Sequence, residues 1–133
     1  MILRRPINKV KHEIKLIRVY DLPEKGEEYR ILVDGLWPRG VSKRKMQMDR
    51  WAKEVAPAPD LRIRFDHAAE RYELFSKAYI RQLDSSLKAL QFANDVREEI
   101  EHRDVWLLFT AKDPAYNHVV ILADWLMNHL RKE

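Results

Sequence analysis

The chain contains no cysteine. Disulfides, thiolate metal sites and cysteine nucleophiles are thereby excluded. Glycine is scarce, with only Gly26, Gly35 and Gly40. Neither a G-x-G-x-x-G turn nor a phosphate-cradling Walker loop can be written with them, so dinucleotide-binding and P-loop readings fail. Thr110 is the single threonine, and the serines Ser42, Ser76, Ser85 and Ser86 form no G-x-S-x-G elbow. The histidines His12, His67, His102, His118 and His129 include no pair at the helical spacing H-x-x-x-H. No metal and no cofactor is therefore expected. No apolar run approaches the ~20 residues that span a membrane. Met1 to Lys15 lacks the apolar centre of a signal peptide. The cytoplasm is the expected compartment, and a membrane is not an expected partner.

What the chain does have is charge, unevenly spread. Residues 1–53 carry 14 Lys and Arg against 7 Asp and Glu, whereas residues 54–133 carry 11 against 14. A basic front third can attract nucleic acid, a nucleotide or phosphate; a solvated surface is the bland alternative. The 133 residues, 46% of them hydrophobic, suit one domain with a true core.

Along the chain, residues 1–13 read as a basic N-terminal segment and 14–133 as the domain. Ile14 to Tyr20 and Tyr29 to Asp34 read as strands, the second with a continuous Ile31-Leu32-Val33 run suited to cover on both faces. Pro and Gly mark loops at 21–28 and 35–41. Ser42 can cap a short helical turn through Lys45. Gln47 to Lys53 is ambiguous between strand and helix. A short helix is expected from Asp60 to Phe65, and a longer one from Ala68 to Leu83. The latter carries Tyr72, Phe75, Tyr79 and Leu83 on one face as a core stripe. Ser85 or Ser86 restarts a helix to about His102. Val105 to Thr110 reads as a buried strand. Asp113-Pro114 has the form of an N-cap and first helical residue, opening a final, largely buried helix to Arg131. Strands alternating with helices give an α/β domain: a single layered unit with a small, mainly parallel or mixed sheet flanked by helices.

Three stretches carry most of the information. They are Leu36-Trp37-Pro38-Arg39-Gly40 after a strand; Trp51-x-Lys53 leading through Ala56-Pro57 to Phe65, His67 and the aromatic helix; and Ala111-Lys112-Asp113-Pro114-x-x-Asn117-His118. In order and spacing they resemble the YeaO-like family (domain of unknown function 488) over about residues 15–125. The resemblance implies a fold type and the positions at which function is to be sought, and no activity. Two departures stand out: the family usually has Arg where this chain has Gly35, and Ser where it has Ala58. Any ligand contact those side chains make in relatives is absent here.

The residues themselves place a site. In open α/β sheets, ligands bind beyond the carboxyl ends of strands. If the strands before 35–41 and 111–113 are parallel neighbours, Arg39, Lys112 and the N–H groups of Asp113 to Tyr116 converge there and suit an anion. Trp37 offers a flat face, Asn117 a polar edge and Thr110 a hydroxyl at the strand end. His118, on the second turn of the final helix, or His67 could form an acid–base set with Asp113. Each has a plainer reading: Asp113 as a cap, Arg39 as a loop brace, His118 as a core histidine and His67 as a helix-entry residue. The leading expectation is a pocket for a small anionic or nucleotide-like ligand, of the hydrolase or transferase kind if it is an enzyme. The alternatives are a nucleic-acid-binding or regulatory module built on Arg4, Arg5, Lys9, Lys11, Lys15, Lys43, Arg44 and Lys45, and a protein-interaction module without chemistry.

Overall fold

A computed structural model describes residues 11–65 and 69–131. Arg4, Arg5, Lys9, His67 and Ala68, all invoked above, lie outside them. Among the described residues, four strands form one sheet in the order β1-β4-β2-β3: β1 Ile14–Arg18, β2 Tyr29–Leu32, β3 Arg50–Trp51 and β4 Val105–Phe109. Every pairing is parallel, with Ile14 opposite Val105 and Tyr29 also opposite Val105. The sheet is thus wholly parallel rather than mixed, and its last strand in sequence lies between its first two.

Because successive strand residues point to opposite faces, each strand serves two cores. Ile31, Val33, Val105, Leu107 and Phe109 face one way, where three helices cover them: α3 Tyr72–Asp84, α4 Leu87–Glu99 and α5 His118–Arg131. Ser86 caps α4, its hydroxyl accepting from Ala89 N–H at 3.1 Å. The expected stripe on α3 packs into this core, with Tyr79 and Leu83 fully buried and Tyr72 and Phe75 half-buried. Leu32 and Leu108 face the other way. There they meet Val19 and Leu22 from the β1–β2 connection, and Val41 and Met46 from the segment holding the one-turn helix α1, Lys43–Met46. A short helix α2, Pro59–Phe65, leads toward α3.

Several boundaries move. β1 ends at Arg18 in a 3-10 turn over Val19–Asp21, and a 3-10 turn at Ala69–Arg71 precedes α3. Gln47 to Lys53 resolves into the two-residue β3, fixed to α4 by Arg50, which pairs with Asp95 and Glu54 at 2.8 Å each. α4 stops at Glu99. The largest correction is at α5, which begins at His118, not at Pro114. Among the described residues, no helix is long and apolar enough to cross a membrane.

Candidate functional site

All four strands run the same way, so the segments after β1, β2, β3 and β4 reach one edge of the sheet. They enclose a cleft of about 700 Å³, lined among others by Tyr20, Asp34 to Arg39, Ala56, Pro57, Arg62, Thr110 to Asp113, Tyr116 and His118. Trp37, Arg39, Thr110, Lys112, Asp113 and His118 are thereby brought together. Asn117 is not among the lining residues.

The floor is a brace between strand ends. Asp34 Oδ2 accepts from Thr110 N–H at 3.0 Å and from the Thr110 hydroxyl at 2.8 Å. Asp34 Oδ1 lies 3.5 Å from His118 Nε2, which also lies 3.1 Å from the Val33 carbonyl oxygen. A carbonyl only accepts, so Nε2 carries its hydrogen in that bond. In a catalytic triad the imidazole stands between hydroxyl and carboxylate. Here the carboxylate stands between hydroxyl and imidazole, so the Thr110 proton points to a weak base and the oxygen is not activated. The Tyr79 ring meets the His118 imidazole edge-on at 5.9 Å. Its hydroxyl donates to the Val55 carbonyl. Burial, with the Asp34 charge adding to it, pushes the Tyr79 phenol far up, so it stays neutral.

Asp113 and Asn117 divide the turn before α5. Asp113 Oδ1 accepts from Ala115 N–H at 2.9 Å and Tyr116 N–H at 3.1 Å, and these two bonds hold its carboxyl below the usual aspartate range. Asn117 is buried; its Oδ1 accepts from Val119 and Val120 N–H at 2.9 and 3.1 Å, and its amide donates to the Asp113 carbonyl at 2.6 Å. Asn117, not Asp113, is the cap of α5, and His118 is its first residue rather than a member of its second turn. Of the N–H groups expected to face an anion, those of Ala115 and Tyr116 are thus already satisfied by the Asp113 side chain. Asp113 and His118 both line the cleft, whereas His67 lies outside the described residues.

The positive charges stand differently. Arg39, Arg62 and Lys112 are exposed, and none of their side chains forms a hydrogen bond or ion pair among the described residues. The loop bearing Arg39 is held by Tyr20, whose hydroxyl donates to the Arg39 carbonyl at 3.0 Å. Trp37 and Trp51 meet edge-on at 5.5 Å; Trp37 Nε1 donates to Val41 and Trp51 Nε1 to the Asp34 carbonyl. Trp37 is therefore a half-buried wall rather than a free platform, and the Arg39 guanidinium does not stack on it. Among the described residues, no group of three or more His, Asp or Glu is placed to hold a metal ion.

Reading the sequence alone missed Asp34 and Arg62. Asp34 had a signal, since it directly follows the apolar run of β2 at the edge where sites form. Arg62 lies on an exposed helical turn, and its signal was its place in the stretch that runs from Ala56-Pro57 through Leu61-Arg62 to Phe65.

The profile of one family, described as the inactive DUF488-N3 subclade, matches residues 13–133. The chain belongs to this DUF488-N3i family. Similar proteins include the Uncharacterized protein YeaO of Escherichia coli (strain K12), 37% identical over 113 residues that cover 85% of this chain and 96% of the relative. The Uncharacterized protein Rv3073c of Mycobacterium tuberculosis (strain ATCC 25618 / H37Rv) is 30% identical over 114 residues, covering 85% of this chain and 92% of the relative. The resemblance to the YeaO-like family read from the motifs is thus borne out. No solved structure gives a significant match.

Proposed function

We propose that the cleft binds a small anionic ligand and performs no chemistry on it. One observation carries the reading: three exposed cations from three separate elements, Arg39, Arg62 and Lys112, border the cleft without a partner among the described residues. The acids beside them are engaged, Asp34 by Thr110 and His118, and Asp113 by two backbone N–H groups. The charge left for a ligand is therefore positive, and Arg39 suits a phosphate or carboxylate through paired hydrogen bonds. Two points favour binding over turnover. The hydroxyl of Thr110 faces a carboxylate rather than an imidazole, and the matching family is described as inactive. A hydrolase or transferase would need a nucleophile that the Asp34 brace does not prepare.

The test is thermal unfolding with inorganic phosphate, nucleotides, sugar phosphates and carboxylic acids. An anion that binds the folded state raises Tm in proportion to the logarithm of its concentration. The rise should vanish in the double variant Arg39→Ala, Lys112→Ala, while the ligand-free Tm stays unchanged. Absence of any rise across the set, or loss of ligand-free stability in the variant, would overturn the reading. A second reading, nucleic-acid binding, is favoured by Lys43, Arg44 and Lys45 on α1. All three are exposed, and none of their side chains is paired among the described residues.

A further inference from the structure

Gly35 lines the cleft, yet its backbone does not require glycine. Gly40 is the glycine with positive φ, at 76°. A Cβ built on Gly35 meets the Ala56 methyl at 3.6 Å, an ordinary contact. Alanine fits there and would narrow the unfolded ensemble, so glycine forgoes stability at this position. An atom beyond Cβ has to turn away from Ala56, and the space beside both residues is the cleft they line. The volume of that space, about 700 Å³, is far more than a bare phosphate fills. It lies within the ~300–1,000 Å³ typical of sites for organic ligands of drug size. Exposed Tyr20 and Tyr116 and half-buried Trp37 share the lining with the cations.

We propose that Gly35 is a size gate, and that the cleft takes a phosphomonoester with a flat heteroaromatic body. The phosphate sits among Arg39, Arg62 and Lys112, and the flat body lies over Gly35 between aromatic side chains. This rests on the anion-binding reading above and adds the ligand's shape to it.

Isothermal titration of the full chain with inorganic phosphate, glucose 6-phosphate and AMP decides it. In the unaltered protein AMP should bind at least about tenfold more tightly than either of the others. Gly35→Ala should raise Tm slightly, because its Cβ meets the Ala56 methyl at an ordinary distance. Gly35→Met should weaken AMP by at least about tenfold and leave inorganic phosphate unchanged. Should Gly35→Met fold poorly, Gly35→Gln serves in its place, and the comparison in the unaltered protein stands without either. AMP binding no better than phosphate, or binding AMP undiminished by the long side chain, sinks the gate and leaves the anion site standing. Equal weakening of phosphate and AMP also sinks it. Failure of phosphate and AMP alike to bind the unaltered protein removes the anion site and the gate together.

Discussion

The two faces of the sheet are closed by different means. On one, α3, α4 and α5 lay continuous apolar surfaces over Ile31, Leu107 and their neighbours, and burial of hydrocarbon holds the layers together. On the other, the connection after β1, the loop after β2 and the single turn of α1 cover a much smaller apolar cluster. Loops bring polar backbone with them, and that backbone needs partners when buried. Arg30 supplies them. Its side chain, 0% exposed, donates to Glu28 at 2.8 Å, to the Met46 carbonyl at 2.8 Å and to the Pro23 carbonyl at 2.8 Å. The guanidinium also lies over the Trp106 ring at 5.3 Å. A helix satisfies its own backbone, whereas a loop cover needs an internal cation to tie its strands of chain. Helix-covered cores can therefore be purely apolar, and this loop-covered one is not.

The strongest way to break the comparison is Arg30→Met. It keeps bulk but leaves Glu28 buried without its partner, and should cost about 3–5 kcal/mol in urea titration. Adding Glu28→Leu should recover only part of this, because the Pro23 and Met46 carbonyls stay unpaired at about 1–3 kcal/mol each. Full recovery would mean that the ion pair is an isolated feature and not the tie described. On the helical face, Leu122→Ala should cost about 2–5 kcal/mol, by lost transfer energy and a cavity, with no coupling to Arg30. Coupling above about 0.5 kcal/mol between the two would show that the faces are not independent.

Acid should act on the polar ties and leave the apolar core alone. Burial tends to raise the Glu28 carboxyl, but the Arg30 hydrogen bond and charge and the backbone bonds leave it below its ordinary 4.5. Asp95 is lowered mainly by its bond to Arg50, and Asp113 by the N–H groups of Ala115 and Tyr116. A carboxyl lowered in the folded state binds fewer protons folded than unfolded. Its contribution is complete above the unfolded value and is lost as pH falls through the folded one. Tm should thus be level above about pH 5 and decline below about pH 4.5, less steeply in the Arg30→Met, Glu28→Leu variant. The smallest effect on folding belongs to α1. Reversing Lys43, Arg44 and Lys45 should change stability by no more than about 0.5 kcal/mol. If the patch meets nucleic acid, the reversal should flatten the fall of log affinity with log salt. No binding to random duplex or single strands at low salt reduces the patch to solvated surface.

The same contrast explains what was legible in the sequence. Ile14 to Arg18, Tyr29 to Leu32 and Val105 to Phe109 announce themselves by β-branched and apolar runs, and α3 by its stripe. These are periodic elements, and periodicity is a local signal. β3 was ambiguous because two residues carry no period; its position is set by pairing with β2. The start of α5 was misread because Asp113-Pro114 has a strong local signature. Asn117 prevails through one local and one distant set of bonds: buried, it caps Val119 and Val120, and its backbone carbonyl accepts from the hydroxyl of Tyr72, 45 positions away, at 2.8 Å. The neighbourhood of Arg39, Lys112 and His118 was legible from one topological rule. Asp34 had only its place after the β2 run as a signal, and its part in the brace is defined by Thr110 and His118, both distant in sequence. Arg30 was unreadable as a buried residue, since nothing local distinguishes it from an arginine in solvent.

The strand order has a consequence for synthesis. β4 lies between β1 and β2, so β1 has no neighbour, and β2 has only the two residues of β3, until residues 105–109 exist. A nascent chain must carry these strands with unsatisfied edges until residues 105–109 have been made, because Ile14 pairs with Val105. Insertion of β4 then closes long loops on both sides in a single step, an event slow in its own right. Until that step, the chain's exposure to wrong strand partners is set by the ribosome's pace rather than by native stability.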